Sequence, residues 1–315
     1  MTSADEKLDV QLVHDDALQA LKRIKSGSAK LIVTSPPYNI GKEYERDKKM
    51  SLEDYLAWLK PIVKQCHRVL ADDGSICWQT GNYVDKGVVH PLDFYFYEMF
   101  IDLGMQLRNR IIWRFNFGLH ATKRFSGRYE TLLWFTKSNE YQFNLDPVRV
   151  PQLYPGKKHS SAKGEQRAGK PSGNPKGKNP SDYWEFSASN AFLDDPVWDI
   201  PNVKSNHPEK TIHPCQFPHE LAERCILAFT KPEDLVIDPF LGAGTTAIAS
   251  VKAGRRVIGI DKDERYIGVA VERVAAVKRG ELNLRPSGRA VRAPKANESV
   301  AQVPSEWGED VNGEA

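Results

Sequence analysis

The chain has 315 residues and is 40% hydrophobic, enough to pack one large domain or a domain carrying a sizeable insertion. A formal net charge of +3 announces no polyanion partner by itself, and four cysteines without a C-x-x-C pair exclude a zinc ribbon or a thiol redox motif. No run approaches the roughly 20 apolar residues that span a bilayer, and the acidic start lacks a signal-peptide core, so no membrane, no metal and a cytoplasmic location are expected.

Residues 1–8 read as a flexible terminus. A brief strand over 10–13 leads to Asp15 or Asp16, either of which suits the cap of a helix over 17–24. Residues 31–33 are apolar and β-rich, as in a strand covered on both faces, and run into Thr34-Ser35-Pro36-Pro37-Tyr38. The prolines end the ladder and hold the following corner rigid. That corner offers a hydroxyl, free carbonyls and an aromatic face, a setting for a flat, amino-bearing ring, although a plain Pro-Pro turn reads the same way. After a polar loop, Ser51 and Asp54 open a helix to about residue 70 in the manner of a capping box, with Gly74 ending the connection.

A buried strand over 75–80 follows, with Gly81-Asn82 as its turn. A helix over 92–103 comes next, whose Phe94, Tyr95, Phe96 and Tyr97 read as core. Strands over 107–115 and 129–136 have no helix between them, which predicts an antiparallel edge on a parallel sheet. Their loop carries Lys123, Arg124 and Arg128, and residues 105–137 hold seven Lys/Arg against one acid, Glu130. Residues 149–178 hold eight against Glu165, with Lys157 and Lys158 among them. Two such basic segments in a near-neutral chain point to a polyanion-facing surface. Periodicity vanishes over 138–206, predicting an insertion with a flexible basic first half and a second half anchored by aromatics such as Phe186, Phe192 and Trp198. Pro218 then starts a helix, a strand over 235–238 turns through a Gly-containing loop into another, and a strand over 256–260 precedes a helix over 264–278. Residues 281–315 have the composition of a disordered tail.

The turn Asp238-Pro239-Phe240-Leu241-Gly242-Ala243-Gly244-Thr245-Thr246 has the strand-Gly-helix form of a nucleotide site, and Asp261, at the end of the next strand, suits ribose hydroxyls. It has neither the G-x-G-x-x-G of dinucleotide enzymes nor the lysine of a P-loop, so a ribose without pyrophosphate is expected. This turn resembles the S-adenosylmethionine motif of DNA amino-methyltransferases, and Thr34-Ser35-Pro36-Pro37-Tyr38 resembles their catalytic motif. His213-Pro214-Cys215-Gln216-Phe217-Pro218 is similar to the segment leading into their cofactor strand. The order, catalytic motif first and cofactor motif last, is that of the family's β group, which includes type II modification methylases.

The resemblance implies a circularly permuted, Rossmann-like methyltransferase fold: a seven-stranded sheet, mostly parallel with one antiparallel strand, carrying an inserted recognition region. It divides the chain into a catalytic half (9–137), a target-recognition insertion (138–206) and a cofactor half (207–280). It implies S-adenosylmethionine as methyl donor, held by Asp238, Pro239, Phe240, Gly242, Gly244, Thr245, Thr246 and Asp261, with Asp16 either near the adenine or simply capping its helix. Ser35 Oγ and the Pro36 carbonyl would accept the amine hydrogens, beside Pro37, and Tyr38 would stack on a base flipped out of double-stranded DNA. Lys123, Arg124, Arg128, Lys157 and Lys158 would hold phosphates. Ser at the first motif position is mostly associated with cytosine N4 in this family and Asp or Asn with adenine N6, so cytosine N4 is expected, with adenine N6 as the alternative. The string Thr34 to Glu45 resembles methylases of GC-rich palindromes such as CCCGGG. A homodimer and a cognate restriction endonuclease, a genetic rather than physical partner, fit the same resemblance. A non-enzymatic DNA-binding module is the more distant alternative. Pro214-Cys215 matches the dipeptide of cytosine-C5 enzymes, but it precedes the cofactor strand, so Cys215 reads as structural.

Overall fold

The structure, a computed structural model, describes residues 9–39, 50–115, 120–152, 154, 156–160, 167–184, 203 and 209–284. The expected tail at 1–8, all but residues 281–284 of the expected tail at 281–315, the loop 40–49, and the anchors Phe186, Phe192 and Trp198 lie outside those residues. The elements are β1 (Val10–His14), α1 (Ala17–Arg23), β2 (Ala29–Thr34), α2 (Leu52–Val69), β3 (Leu70–Thr80), β4 (Asn82–Asp85), β5 (Val88–Pro91) and α3 (Leu92–Ile101). They continue with β6 (Gln106–Arg114), β7 (Tyr129–Thr136), β8 (Tyr183–Trp184), α4 (His219–Phe229), β9 (Leu235–Asp238), α5 (Thr245–Lys252), β10 (Arg256–Asp261) and α6 (Glu264–Lys278).

Eight strands form one sheet in the order β1-β10-β9-β2-β3-β7-β6-β8. Alternation along β2 explains why both faces are covered. Ile32 joins the core under α1, α2 and α3, while Leu31 and Val33 join the core under α4. Helices α5 and α6 complete the second layer over Val257 and Leu241. Local chemistry sets the helix starts. Asp16 caps α1 by accepting from the Gln19 N–H at 3.1 Å, and Ser51 Oγ accepts from the Asp54 N–H at 3.0 Å and donates to its carboxylate at 2.7 Å.

Among the described strands of this sheet β7 alone is reversed, antiparallel to both β3 and β6. It lies inside the sheet rather than at its edge, correcting the expectation: the hairpin carries β6 past it to pair in turn with the two-residue strand β8. With β8 the sheet has eight described strands where the resemblance implies seven. Gly74 lies within β3, where the register with β2 shifts between Ala29 and Leu31, rather than ending a connection. Gly81-Asn82 is not a simple turn, since Asn82 starts the β4–β5 hairpin. In α3 only Phe96 of the four expected aromatics is fully buried. Leu92, Phe96 and Phe100 recur every fourth residue on the core side, which leaves Phe94 and Tyr97 exposed. Pro218 precedes α4 as its cap residue, one position before the helix starts.

β1 runs parallel beside β10, with His14 opposite Asp261, and α6 packs on both strands. The crossover from α6 into β1 is therefore where the permuted chain is cut. β9 and β2 are neighbours whose successors, β10 and β3, depart in opposite directions. This is the switch point at which such sheets open a crevice beyond the strands' carboxyl ends.

Candidate active site

The crevice is a cavity of about 500 Å³, within the range of small-ligand sites. Behind its wall the two sequence motifs meet. Thr34 Oγ1 donates to Asp238 Oδ1 at 2.6 Å, and Thr246 Oγ1 donates to Oδ2 at 2.6 Å. The Phe240 N–H adds a third bond at 3.1 Å. Asp238 has no exposure, and burial pushes its carboxyl up to about 6 against the pull of those donors. Asp238, Gly244 and Thr246 stand behind the cavity wall, whereas Pro239, Phe240, Gly242 and Thr245 line it. Gly244 has φ +82, and a Cβ there would meet the Ala270 Cβ of α6 at 2.7 Å, so this glycine lets α5 and α6 touch.

On the other side of the switch point Ser35, Pro36, Pro37 and Tyr38 all line the cavity. Tyr55 of α2 donates its hydroxyl to the Pro37 carbonyl at 2.6 Å, which fixes the corner from below. Asn39, at φ +56, holds Met50 through its carboxamide, accepting from the Met50 N–H and donating to its carbonyl. Ser35 Oγ and the Tyr38 hydroxyl are 2.8 Å apart. The Tyr38 hydroxyl donates in turn to Glu130 Oε2 at 3.4 Å, and Gln79 Nε2 donates to the same oxygen at 2.5 Å. Glu130 keeps partial solvent access, but the protein packed around it pushes its carboxyl up to about 7.

The cofactor side has its own cradle. Asp261 lines the cavity and accepts from the Gly242 N–H at 2.8 Å and the Asp263 N–H at 2.9 Å; burial raises its carboxyl above the ordinary range. Gly242 has φ +54, and a Cβ there would stand 3.1 Å from His213 Nε2. His213 Nδ1 accepts from the Cys215 N–H at 3.3 Å, and the ring meets Tyr266 edge-on at 4.5 Å. Burial holds this imidazole neutral, down to about 4. Phe240 and Trp58 form an aromatic wall 5.9 Å apart, and Asp16 reaches the cavity while capping α1. A nucleoside fits these groups: a carboxylate for ribose hydroxyls, aromatic faces for a ring, and glycine backbone at closest approach.

Of the five basic residues expected to hold phosphates, Arg124 lines the cavity, and Lys123, Arg128, Lys157 and Lys158 do not. Phe125, beside Arg124, is 98% exposed. Sequence reasoning did not single out Trp58, Gln79, Glu130, His213 or Tyr266 for the site. His213 lay inside a segment already noted, and Glu130 was the lone acid of a basic stretch. Gln79 is a buried amide in an apolar strand, with an Oε1 that has no partner among the described residues. Among the described residues no group of three or more His, Cys, Asp or Glu is placed to hold a metal, and no helix is long and apolar enough to cross a membrane.

A family model described as "DNA methylase", covering N6- and N4-amino methyltransferases, matches residues 29–272. The chain is 46% identical over 263 residues to the type II methyltransferase M.BglII of Bacillus subtilis, covering 83% of this chain and 68% of that protein. It is 32% identical to the DNA adenine methyltransferase YhdJ of Escherichia coli K12, covering 84% of this chain and 82% of that one. Its fold is similar to that of the cytosine-N4-specific PvuII DNA methyltransferase, with a TM-score of 0.62 at 19% identity over 94% of this chain and 96% of that one.

Proposed function

The chain belongs to the N4/N6 family of DNA amino-methyltransferases, and on that premise we propose that it methylates the exocyclic N4 of cytosine in duplex DNA. One observation supports this most directly: Ser35, not an Asp or Asn, lines the cavity at the switch point across from the nucleoside cradle, with its Oγ 2.8 Å from the Tyr38 hydroxyl. S-adenosylmethionine bound in that cradle supplies an electrophilic sulfonium methyl. Asp261 would hold its ribose, Phe240 and Trp58 its adenine side, and the backbone at Gly242 its amino-acid end, with His213 as a fixed neutral wall. Asp238, Gly244 and Thr246 would serve by shaping the turn rather than by contact.

An exocyclic amine is a weak nucleophile because its lone pair is delocalised into the ring. Ser35 Oγ and the Pro36 carbonyl, by accepting both amine hydrogens, favour the pyramidal nitrogen that attack requires. The rigid corner and the Tyr38 ring hold the base in line, so no covalent enzyme intermediate is needed. Lys123, Arg124, Arg128, Lys157 and Lys158 would hold the duplex from which the base is flipped, and the region 138–206 would read its sequence. A restriction endonuclease of matching specificity would be its genetic counterpart, and a GC-rich palindrome such as CCCGGG is the first target to try.

The deciding experiment is methylation of duplex DNA with labelled S-adenosylmethionine, followed by nucleoside mass spectrometry. N4-methylcytosine is the expected product. N6-methyladenine alone would replace cytosine by adenine, the reading favoured by the likeness to YhdJ.

A further inference from the structure

The relay Ser35–Tyr38–Glu130 starts in the catalytic motif and ends outside both motifs, on a carboxylate of β7. We propose that Glu130 is the acceptor of the proton released when the target amine is methylated, and that it sets the direction of the hydrogen bonds leading to it. This rests on the methyltransferase reading of the same cavity.

Tyr38 and Gln79 both aim a hydrogen at one oxygen, Glu130 Oε2, which is an environment built for an ionised carboxylate. The Ser35–Tyr38 contact by itself has no fixed direction. Once Tyr38 donates to Glu130, its own oxygen is left to accept, so Ser35 must donate to Tyr38. The lone pairs of Ser35 Oγ then face the cavity, which is what accepting an amine hydrogen demands. As the nitrogen–carbon bond forms, the methyl's bond to sulfur breaks and its electron pair stays on sulfur. The nitrogen then holds one proton too many. That proton passes to Ser35 Oγ, the Ser35 proton passes to Tyr38, and the Tyr38 proton passes to Glu130, leaving both hydroxyls intact and the carboxyl neutral. A solvated glutamate would be a weak acceptor at neutral pH, whereas this one is pushed up to about 7 by the packing around it. The groups against it are Tyr38 from the corner, uncharged Gln79 from β3, Gly81, and Trp113 opposite on β6; Arg124 shares the cavity wall.

The test is single-turnover methylation by the full chain at saturating S-adenosylmethionine and DNA, across pH. The wild-type rate should rise through about pH 7. Glu130→Gln keeps the size of the side chain and an oxygen for Tyr38 but cannot take up a proton. It should be slower by about 100-fold, in the usual range for loss of proton transfer, and lose the rise. Glu130→Asp should keep the rise. Carbon-13 labelling of glutamate should show one carboxyl titrating near 7 that disappears in Glu130→Gln. Binding of S-adenosylmethionine, by calorimetry, and of duplex DNA should be unchanged in both variants. A uniform slowing of Glu130→Gln that keeps the pH rise, an unchanged rate, abolished cofactor binding, or a Glu130 signal in the ordinary glutamate range would each overturn the proposal. A wild-type chain that binds S-adenosylmethionine and methylates no DNA would instead overturn the reading beneath it, and this one with it.

Discussion

At the scale of single residues, chemistry divides between Ser35 and Cys215. Both line the cavity, but Ser35 joins the hydroxyl relay, while the Cys215 backbone N–H serves to fix the His213 ring. Ser35→Ala should lower the single-turnover rate by about 100-fold, the usual effect of removing one oriented hydrogen-bonding group from the transition state, with DNA binding retained. Cys215→Ser should leave that rate within a few-fold of wild type. The reverse pattern would point to a cysteine nucleophile. Ser35 was legible in the sequence because two prolines mark a rigid corner. Glu130 was not, because its role depends on Gln79 and Tyr38, 51 and 92 residues away.

At the scale of elements, legibility followed local periodicity. The i, i+4 spacing of Leu92, Phe96 and Phe100 sorts α3 into a buried and an exposed face, which an undivided aromatic run conceals. The β4–β5 hairpin has no clear sequence signal because its two-residue loop is Lys86-Gly87. Both residues have positive φ, as a tight hairpin turn requires, but lysine carries none of the usual signal of Asn or Asp. The hairpin β6–β7 presents Lys123, Arg124 and Arg128 with Phe125 exposed among them. Replacing all three cations by Ala should weaken duplex binding and flatten its dependence on log salt by roughly 0.9 for each phosphate that is no longer neutralised. Measuring the slope across a salt series by fluorescence anisotropy checks this. An unchanged slope would move the DNA surface elsewhere.

At the scale of the molecule, Asp238 ties the glycine turn to the Pro-Pro corner through Thr34, 204 residues away in sequence. Thr34→Val leaves a fully buried carboxylate one donor short and should cost about 2 kcal/mol of stability by urea unfolding at about pH 7. The sign with pH follows from the raised carboxyl. An acid pushed up to about 6 in the folded state favours its neutral form there, so its contribution to stability is fullest below the ordinary aspartate range and is lost as pH rises through about 6. Removing the Thr34 donor pushes Asp238 higher still, so the deficit of Thr34→Val should widen between about pH 5 and about pH 8. A deficit that is constant or narrows would place the stabilisation elsewhere.

The sequence by itself determined what needs only neighbours along the chain: the Pro-Pro corner, the glycine turn, the helix caps and the order of the two motifs. Those features carried the fold class and the family, because strands buried on both faces and capped helices announce themselves within about ten or fifteen residues. Only the tertiary structure decided that β7 lies inside the sheet, that Asp238 stands behind the cavity rather than in it, and that Glu130 ends the relay from Ser35. The physical reason is common to all three. Strand order, burial and the direction of a hydrogen bond are set by partners brought together across the sheet, and no local pattern encodes them.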